Sequence, residues 1–174
     1  MKTLYATLLG IMVLLTVVPL AAAGPPSWDT QINGEGRFKV LSQFNNEAVL
    51  DKETGLVWDQ SPDTGTRNWS NALLHCYPRE VGGRKGWRLP TIEELASLID
   101  PNNPGGNPDL PPGHPFSNVQ SSVYSIYWSA TTHASNTSWA WVVVFSNGSV
   151  SFDVKTDTVF VWCVRGGQGI DGVQ

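Results

Sequence analysis

The chain has 174 residues, with eleven Lys/Arg against fifteen Asp/Glu and a formal charge of −4. That length suits one domain able to bury a real core. The acidic balance excludes a general nucleic-acid binder and a protein drawn to an anionic membrane.

The first segment is set apart from the fold. Met1 and Lys2 give a short positive start, Leu4 to Leu20 is almost wholly apolar, and Ala21-Ala22-Ala23 supplies small residues. This reads as a secretory signal peptide over 1–23, cleaved between Ala23 and Gly24. The apolar run is shorter than the ~20 residues a spanning helix needs, and Pro19 interrupts its end. No membrane span is expected after signal removal. Without Lys2 the chain keeps ten Lys/Arg against fifteen Asp/Glu. The expected location is exported: periplasmic, cell-surface or secreted.

Residues 24–36 are rich in Pro and Gly at their start and read as a flexible N-terminal arm. Order is expected from Arg37 to Gly167, with 168–174 as a tail. Ala48-Val49-Leu50 and Leu56-Val57-Trp58 flank Asp51-Lys52-Glu53-Thr54-Gly55, where Gly55 supplies the positive φ of a β-hairpin. Trp69, Ala72, Leu73 and Cys76 then fall on one helical face. Asn68 or Thr66 caps that helix and Pro78 stops it. Arg79, Arg84, Lys85 and Arg88 follow, four positive charges within ten residues. They read either as a solvated loop or as an anion-binding patch.

The segment GWRLPTIEELASLID, 86–100, opens the second helix. Thr91 and Glu94 form a capping box, and Ile92, Leu95, Ala96 and Ile99 make a buried stripe. Trp87 and Leu89 read as core anchors, and Pro90 stiffens the approach to the cap. Arg88 either faces outward or pairs with a carboxylate. From 100 to 118 the chain is DPNNPGGNPDLPPGHPFSN, holding six of the twelve prolines. It reads as a long structured loop or lid.

The remainder reads as strand. Tyr127-Trp128 begins one. Trp139 to Phe145 is apolar on both faces and therefore central. Asn147-Gly148 signals a type I′ hairpin. Val150, Phe152 and Val154 alternate with Ser151 and Asp153, which predicts one wet face. Phe160 to Val164 is again apolar throughout and carries Cys163. The expected architecture is α+β: two helices packed with a small antiparallel sheet, a meander of three or four strands. Export permits a disulfide, and the two cysteines, Cys76 on a helical stripe and Cys163 in a central strand, fit one bridge.

"DKETGLVW", "NWSNALLHC", "GWRLPTIEELASLID", "YWSAT", "AWVVVFSNG" and "WCVRG" occur in the order found in a bacterial domain family of unknown function. The family is shared with the C-terminal domain of the Legionella collagen-like adhesin, and the resemblance covers roughly 37–167. It implies a C-type-lectin-like fold, in which a first-helix cysteine bridges to one in the last strand. It also implies an exported, non-catalytic binding or adhesion module. The Glu-Pro-Asn, Gln-Pro-Asp and Trp-Asn-Asp motifs of calcium-dependent lectins of this fold are absent, as are the adhesin's collagen-like repeats.

No cofactor is expected. Asp100-x-Asn102-x-x-Gly105 resembles half of a calcium loop, but Pro104 and Pro111 occupy positions that need ligands. His75, His114 and His133 show no zinc spacing. Catalysis has no local signature; an enzyme related to the formylglycine-generating group needs a reactive cysteine pair, and a structural bridge consumes both cysteines. A structural envelope domain without a small ligand is the remaining alternative. Ligand-binding candidates are the loop residues without an evident structural duty: Asn102, Asn103, Asn107, Asp109 and His114, then His133 and Asn136 in the 131–138 turn. The expected partner is a polysaccharide or a cell-surface protein. Of the eight Trp residues, most are expected to be buried, Trp141 among them, while Trp139 sits at a strand end.

Overall fold

The structure is a computed structural model and describes residues 34–100, 102–103, 108–122 and 124–166. The expected signal segment and its Ala23–Gly24 junction lie outside the described residues, as do Asn107 and the 168–174 tail. The end of the expected arm is ordered, because Gly34–Arg37 forms a single helical turn, α1.

Two sheets share the strands. The first holds β1 (Phe38–Val40), β2 (Ala48–Asp51), β3 (Val57–Asp59) and β9 (Val164–Arg165), in the order β1-β2-β3-β9. The second holds β4 (Asp63–Arg67), β5 (Ile126–Thr132), β6 (Trp139–Val144), β7 (Ser149–Val154) and β8 (Val159–Val161), in the order β4-β8-β5-β6-β7. Helix α2 (Trp69–Cys76) and helix α3 (Ile92–Ala96) pack on the second sheet. The class is α+β, as expected, but the sheet is mixed rather than a plain meander. After β7 the chain crosses to the other side of β5, and β8 runs parallel to β5. The cause lies in β8 itself. Val159 and Val161 are buried, and so apolar a strand is stable between two neighbours rather than beside one.

The single strand expected over 160–164 is two. Trp162 and Cys163 lie between β8 and β9, where the chain passes from one sheet to the other. Trp162 is fully buried and its Nε1 donates to the Asp59 carbonyl at 2.8 Å. Cys163 is bonded to Cys76, with Cα atoms 5.6 Å apart. The bridge thus fastens α2 to the sheet crossing.

Local rules hold at the helices. The Asn68 side chain accepts from the Asn71 N–H at 2.9 Å and caps α2. Ala72 and Cys76 point inward among Trp87, Leu89, Trp128 and Val142. The α3 side encloses Trp58, Leu95, Leu98, Leu110, Tyr127 and Trp162. The β2–β3 hairpin forms with Gly55 at φ +73°. The Asn147-Gly148 hairpin forms too, but not as type I′, which needs positive φ at both residues. Only Gly148 has it, at +68°. Residues 145–148 make a four-residue loop instead. There the Asn147 carboxamide oxygen accepts from the N–H and hydroxyl of Ser149.

Arg88 answers for the WRLPT segment. Its guanidinium pairs twice with Glu94, at 2.7 and 2.6 Å, and donates to the Gly166 carbonyl at 2.6 Å. Its backbone exchanges two hydrogen bonds with Val164, both 2.9 Å. Glu94 also accepts from the Thr91 N–H at 2.8 Å, closing the capping box. Trp87 and Leu89 are buried on either side. The segment therefore ties the first sheet to the start of α3. Arg37 does the same at the other end of that helix. It forks onto Asp51 at 2.9 and 2.7 Å and donates to the Ser97 carbonyl at 2.7 Å.

Candidate ligand-binding surface

The β6–β7 pair leaves one face incompletely covered. On that face Trp139 and Trp141 stand beside Val154 and Phe152 in direct register. Further along, Val143 is buried with Tyr127 and Leu95 on the α3 side. Beyond α3 nothing described closes the face. Val150, Phe152 and Val154 are 46 %, 45 % and 38 % exposed. This corrects the expectation of one wet face on β7, because both faces are wet. It also corrects Trp141, which is half-buried rather than buried.

These side chains form an aromatic platform. Trp139 and Phe152 stack with centroids 5.0 Å apart and planes 11° apart. Trp141 meets Phe152 edge-on at 6.0 Å. The His133 ring lies 5.0 Å from Trp141 and 4.9 Å from Phe152. His133 reaches this place because the β5–β6 pairing slips between Trp128 and Thr132, a bulge that turns the strand end. Its Nδ1 is buried and has no hydrogen-bond partner among the described residues. The turn that follows is closed by the His133 N–H donating to the Trp139 carbonyl at 3.0 Å. Asn136 holds the same turn, its side-chain oxygen accepting from the Ser138 N–H at 3.0 Å.

The Pro-rich loop lies elsewhere. The Asp109 N–H donates to the Phe145 carbonyl at 2.8 Å, and its carboxylate sits against Gly148, where an added Cβ would be 2.5 Å from Oδ2. That is the far end of β6 from the 131–138 turn. Six strand residues separate the two, roughly 20 Å, so the structure does not unite the two candidate loops. Several loop residues also have structural duties. The Asn103 amide donates to the Leu110 carbonyl at 3.1 Å. His114 stacks on Phe116 at 5.9 Å, and burial pushes its pKa down. Asp109 is buried, and burial together with Asp100 pushes its pKa up. Asn102 is exposed.

The four basic residues are also dispersed. Arg79 pairs with Asp59 and Arg88 with Glu94. Arg84 lies over the Phe44 ring, 5.8 Å from its centroid, and Lys85 stands 3.9 Å from Glu80. Each has a different neighbour, and half of the positive charge is neutralised in the fold.

A concave region of about 250 Å³ lies elsewhere, lined by Glu47, Asp59, Gln60, Arg79 and Glu80 among others. The Asp59–Arg79 ion pair is part of its lining. Burial raises the Asp59 pKa against the pull of Arg79. Its polar groups are mostly engaged: Gln60 donates to the Pro115 carbonyl, and Glu47 accepts from the Gly82 N–H. Among the described residues no group of three or more His, Cys, Asp or Glu is placed to hold a metal ion.

Of the proposed site residues, then, the fold gathers His133 and Asn136 at one aromatic surface. Trp139, Trp141 and Phe152 belong to it, although the wholly apolar run 139–145 marks Trp141, and the alternation of 150–154 marks Phe152, as core. No local signal marks them for this surface, because their exposure follows from β8 pairing on the far side of β5 and leaving β7 at the edge of the described sheet.

Comparison with known families gives one match. The family model of the Lcl C-terminal domain covers residues 47–165. No curated protein matched the chain.

Proposed function

The chain belongs to the Lcl C-terminal domain family, an adhesin-associated module, and from that membership we propose that it is an exported, non-catalytic binding module with a C-type-lectin-like scaffold. The bond from α2 to the crossing between β8 and β9 supports the scaffold reading, and a disulfide suits an exported protein. The ligand class is a glycan, and the surface is the platform of Trp139, Trp141, Phe152 and His133. One observation carries this reading: aromatic rings packed on one another stand half-open on a rigid sheet where no described segment covers them. Aromatic faces stack on the apolar faces of pyranose rings, and polar groups at the rim, here His133 and Asn136, give orientation. Exposed apolar patches of this kind mark interaction sites in soluble proteins.

Arg79 and Arg88 are committed to Asp59 and Glu94. Charge therefore contributes little, and binding is expected to change little with ionic strength. A glycan array with the disulfide-bonded protein is the test. Reproducible binding to a set of related glycans supports the reading, and no binding to any glycan favours a structural envelope domain.

A further inference from the structure

Strand β7 is the outer edge of the second sheet. The direction of its backbone can be read from its end. The Lys155 N–H donates to the Ser138 carbonyl at 2.9 Å, so Lys155 points its amide toward the β6 side. Amides alternate along a strand. Hence Ser149, Ser151 and Asp153 also turn toward β6, while Val150, Phe152 and Val154 turn outward. The groups of Val154 are already used. Its N–H donates to the Asp153 carboxylate at 2.8 Å, and its carbonyl accepts from the Asp157 N–H at 2.9 Å. Among the described residues the outward N–H and C=O groups of Val150 and Phe152 have no partner.

We propose that a second copy of this chain adds along this edge, β7 against β7, antiparallel and centred on Ser151. In that register Val150 faces Phe152 of the other copy twice, and the outward groups close four hydrogen bonds. The side chains agree with it. Val150 meets Phe152, apolar on apolar, on the platform face. On the opposite face Ser149 meets Asp153, a hydroxyl donor beside a carboxylate. Ser151 meets itself, and no two like charges face each other. Val154 falls opposite Gly148, where no side chain obstructs it. A twofold axis through the sheet makes the interface self-complementary, the usual form of a homodimer. The edge lacks Pro, and Lys155 is folded back, 2.8 Å from Thr132 Oγ1 and 3.8 Å from the Trp69 ring centroid. The devices that usually block edge pairing are therefore confined to Asp153 at one end. The sheet would continue through ten strands, and the two Phe152 side chains would stand about 7–8 Å apart on one face. The two platforms would then form one surface. The dimer does not depend on the ligand of that surface.

The experiment uses the full exported chain with its native disulfide. Sedimentation over a concentration series should show a mass rising to twice the monomer. Val150→Pro removes one outward N–H without touching a bond to β6, and should leave a monomer that melts as wild type does at a concentration where the latter is monomeric. If it does not fold, Val150→Lys serves the same purpose. Ser151→Cys should crosslink to its own copy under mild oxidation, because facing residues there have Cα atoms about 4.5 Å apart, within disulfide reach. Ser149→Cys should crosslink at least tenfold more slowly, its own copies being roughly 13 Å apart along the strands. A mass that stays monomeric to millimolar concentration overturns the proposal. So does a dimer that survives both Val150 variants, or equal crosslinking of the two cysteine variants.

Discussion

The Arg88 region and the β6–β7 face use their side chains in opposite ways. Arg88 turns a full positive charge inward, onto Glu94 and the Gly166 carbonyl, beneath the buried Trp87 and Leu89. On the β6–β7 face, Phe152 and the half-buried Trp139 hold apolar area out toward solvent. The difference shows what each costs if removed. A partly buried charge is held by a specific partner, so losing that partner strands it. An exposed ring is held by little, so losing it leaves the fold nearly unchanged. Function is therefore to be sought where the chain spends large side chains without structural return.

The largest expected effect lies on the closed side. The Cys76–Cys163 bridge spans a sequence separation of 87 residues, worth roughly 4–5 kcal/mol by loop-closure entropy. Reduction should lower the melting temperature by on the order of 10 °C or more. An unmoved melting curve would break the claim that α2 is held to the sheet crossing by this bond.

Next comes the ion pair. Arg88→Met strands the Glu94 carboxylate and should cost about 3 kcal/mol, while the double variant with Glu94→Gln should recover a large part of that loss. Denaturant melts of the four proteins check it. Simple additivity would mean that the pair does not act as a unit.

A smaller effect concerns pH. Burial holds the His75 pKa below its ordinary value, and the nearby Arg67 and Arg79 push it the same way, against Asp63. His114 is lowered by burial. A histidine whose folded pKa is lowered takes up its proton first in the unfolded chain. Its neutral form contributes full stability above about 6.5, and that contribution is lost as pH falls toward the folded value. Melting temperature should therefore drop on acidification from pH 7 to 5. The double variant His75→Gln/His114→Gln should flatten that slope; an unchanged slope would place the acid sensitivity elsewhere. The smallest effect is none. Melting with calcium and with chelator should coincide, and a shift of several degrees would point to a metal site in the Pro-rich loop.

Much of the closed side was legible in the residues. The α2 stripe, its Asn68 cap, the Thr91–Glu94 capping box and the Gly55 hairpin follow from short-range rules, and the Cys76–Cys163 bond from a count of two cysteines and the family resemblance. The open side was not. Alternation in Ser149–Val154 says that one face is apolar, but it cannot say whether anything lies against that face. That depends on the crossover that carries β8 to the far side of β5, a long-range event. The same crossover splits 160–164 between two sheets. Among the site candidates, spacing picked out His133 and Asn136 by elimination. It could not show that Asn103 and Asp109 pack at the far end of β6, or that Arg79 and Arg88 would find separate carboxylates.

The most direct measurement titrates the best array glycan against wild type and Trp139→Ala, with melting curves for both. Trp139→Ala should bind at least about fivefold more weakly, since an aromatic stacked on a ligand ring contributes about 1–3 kcal/mol by analogy with base stacking. It should melt within a few degrees of wild type. Binding unchanged in a folded Trp139→Ala protein would contradict the platform as the ligand surface.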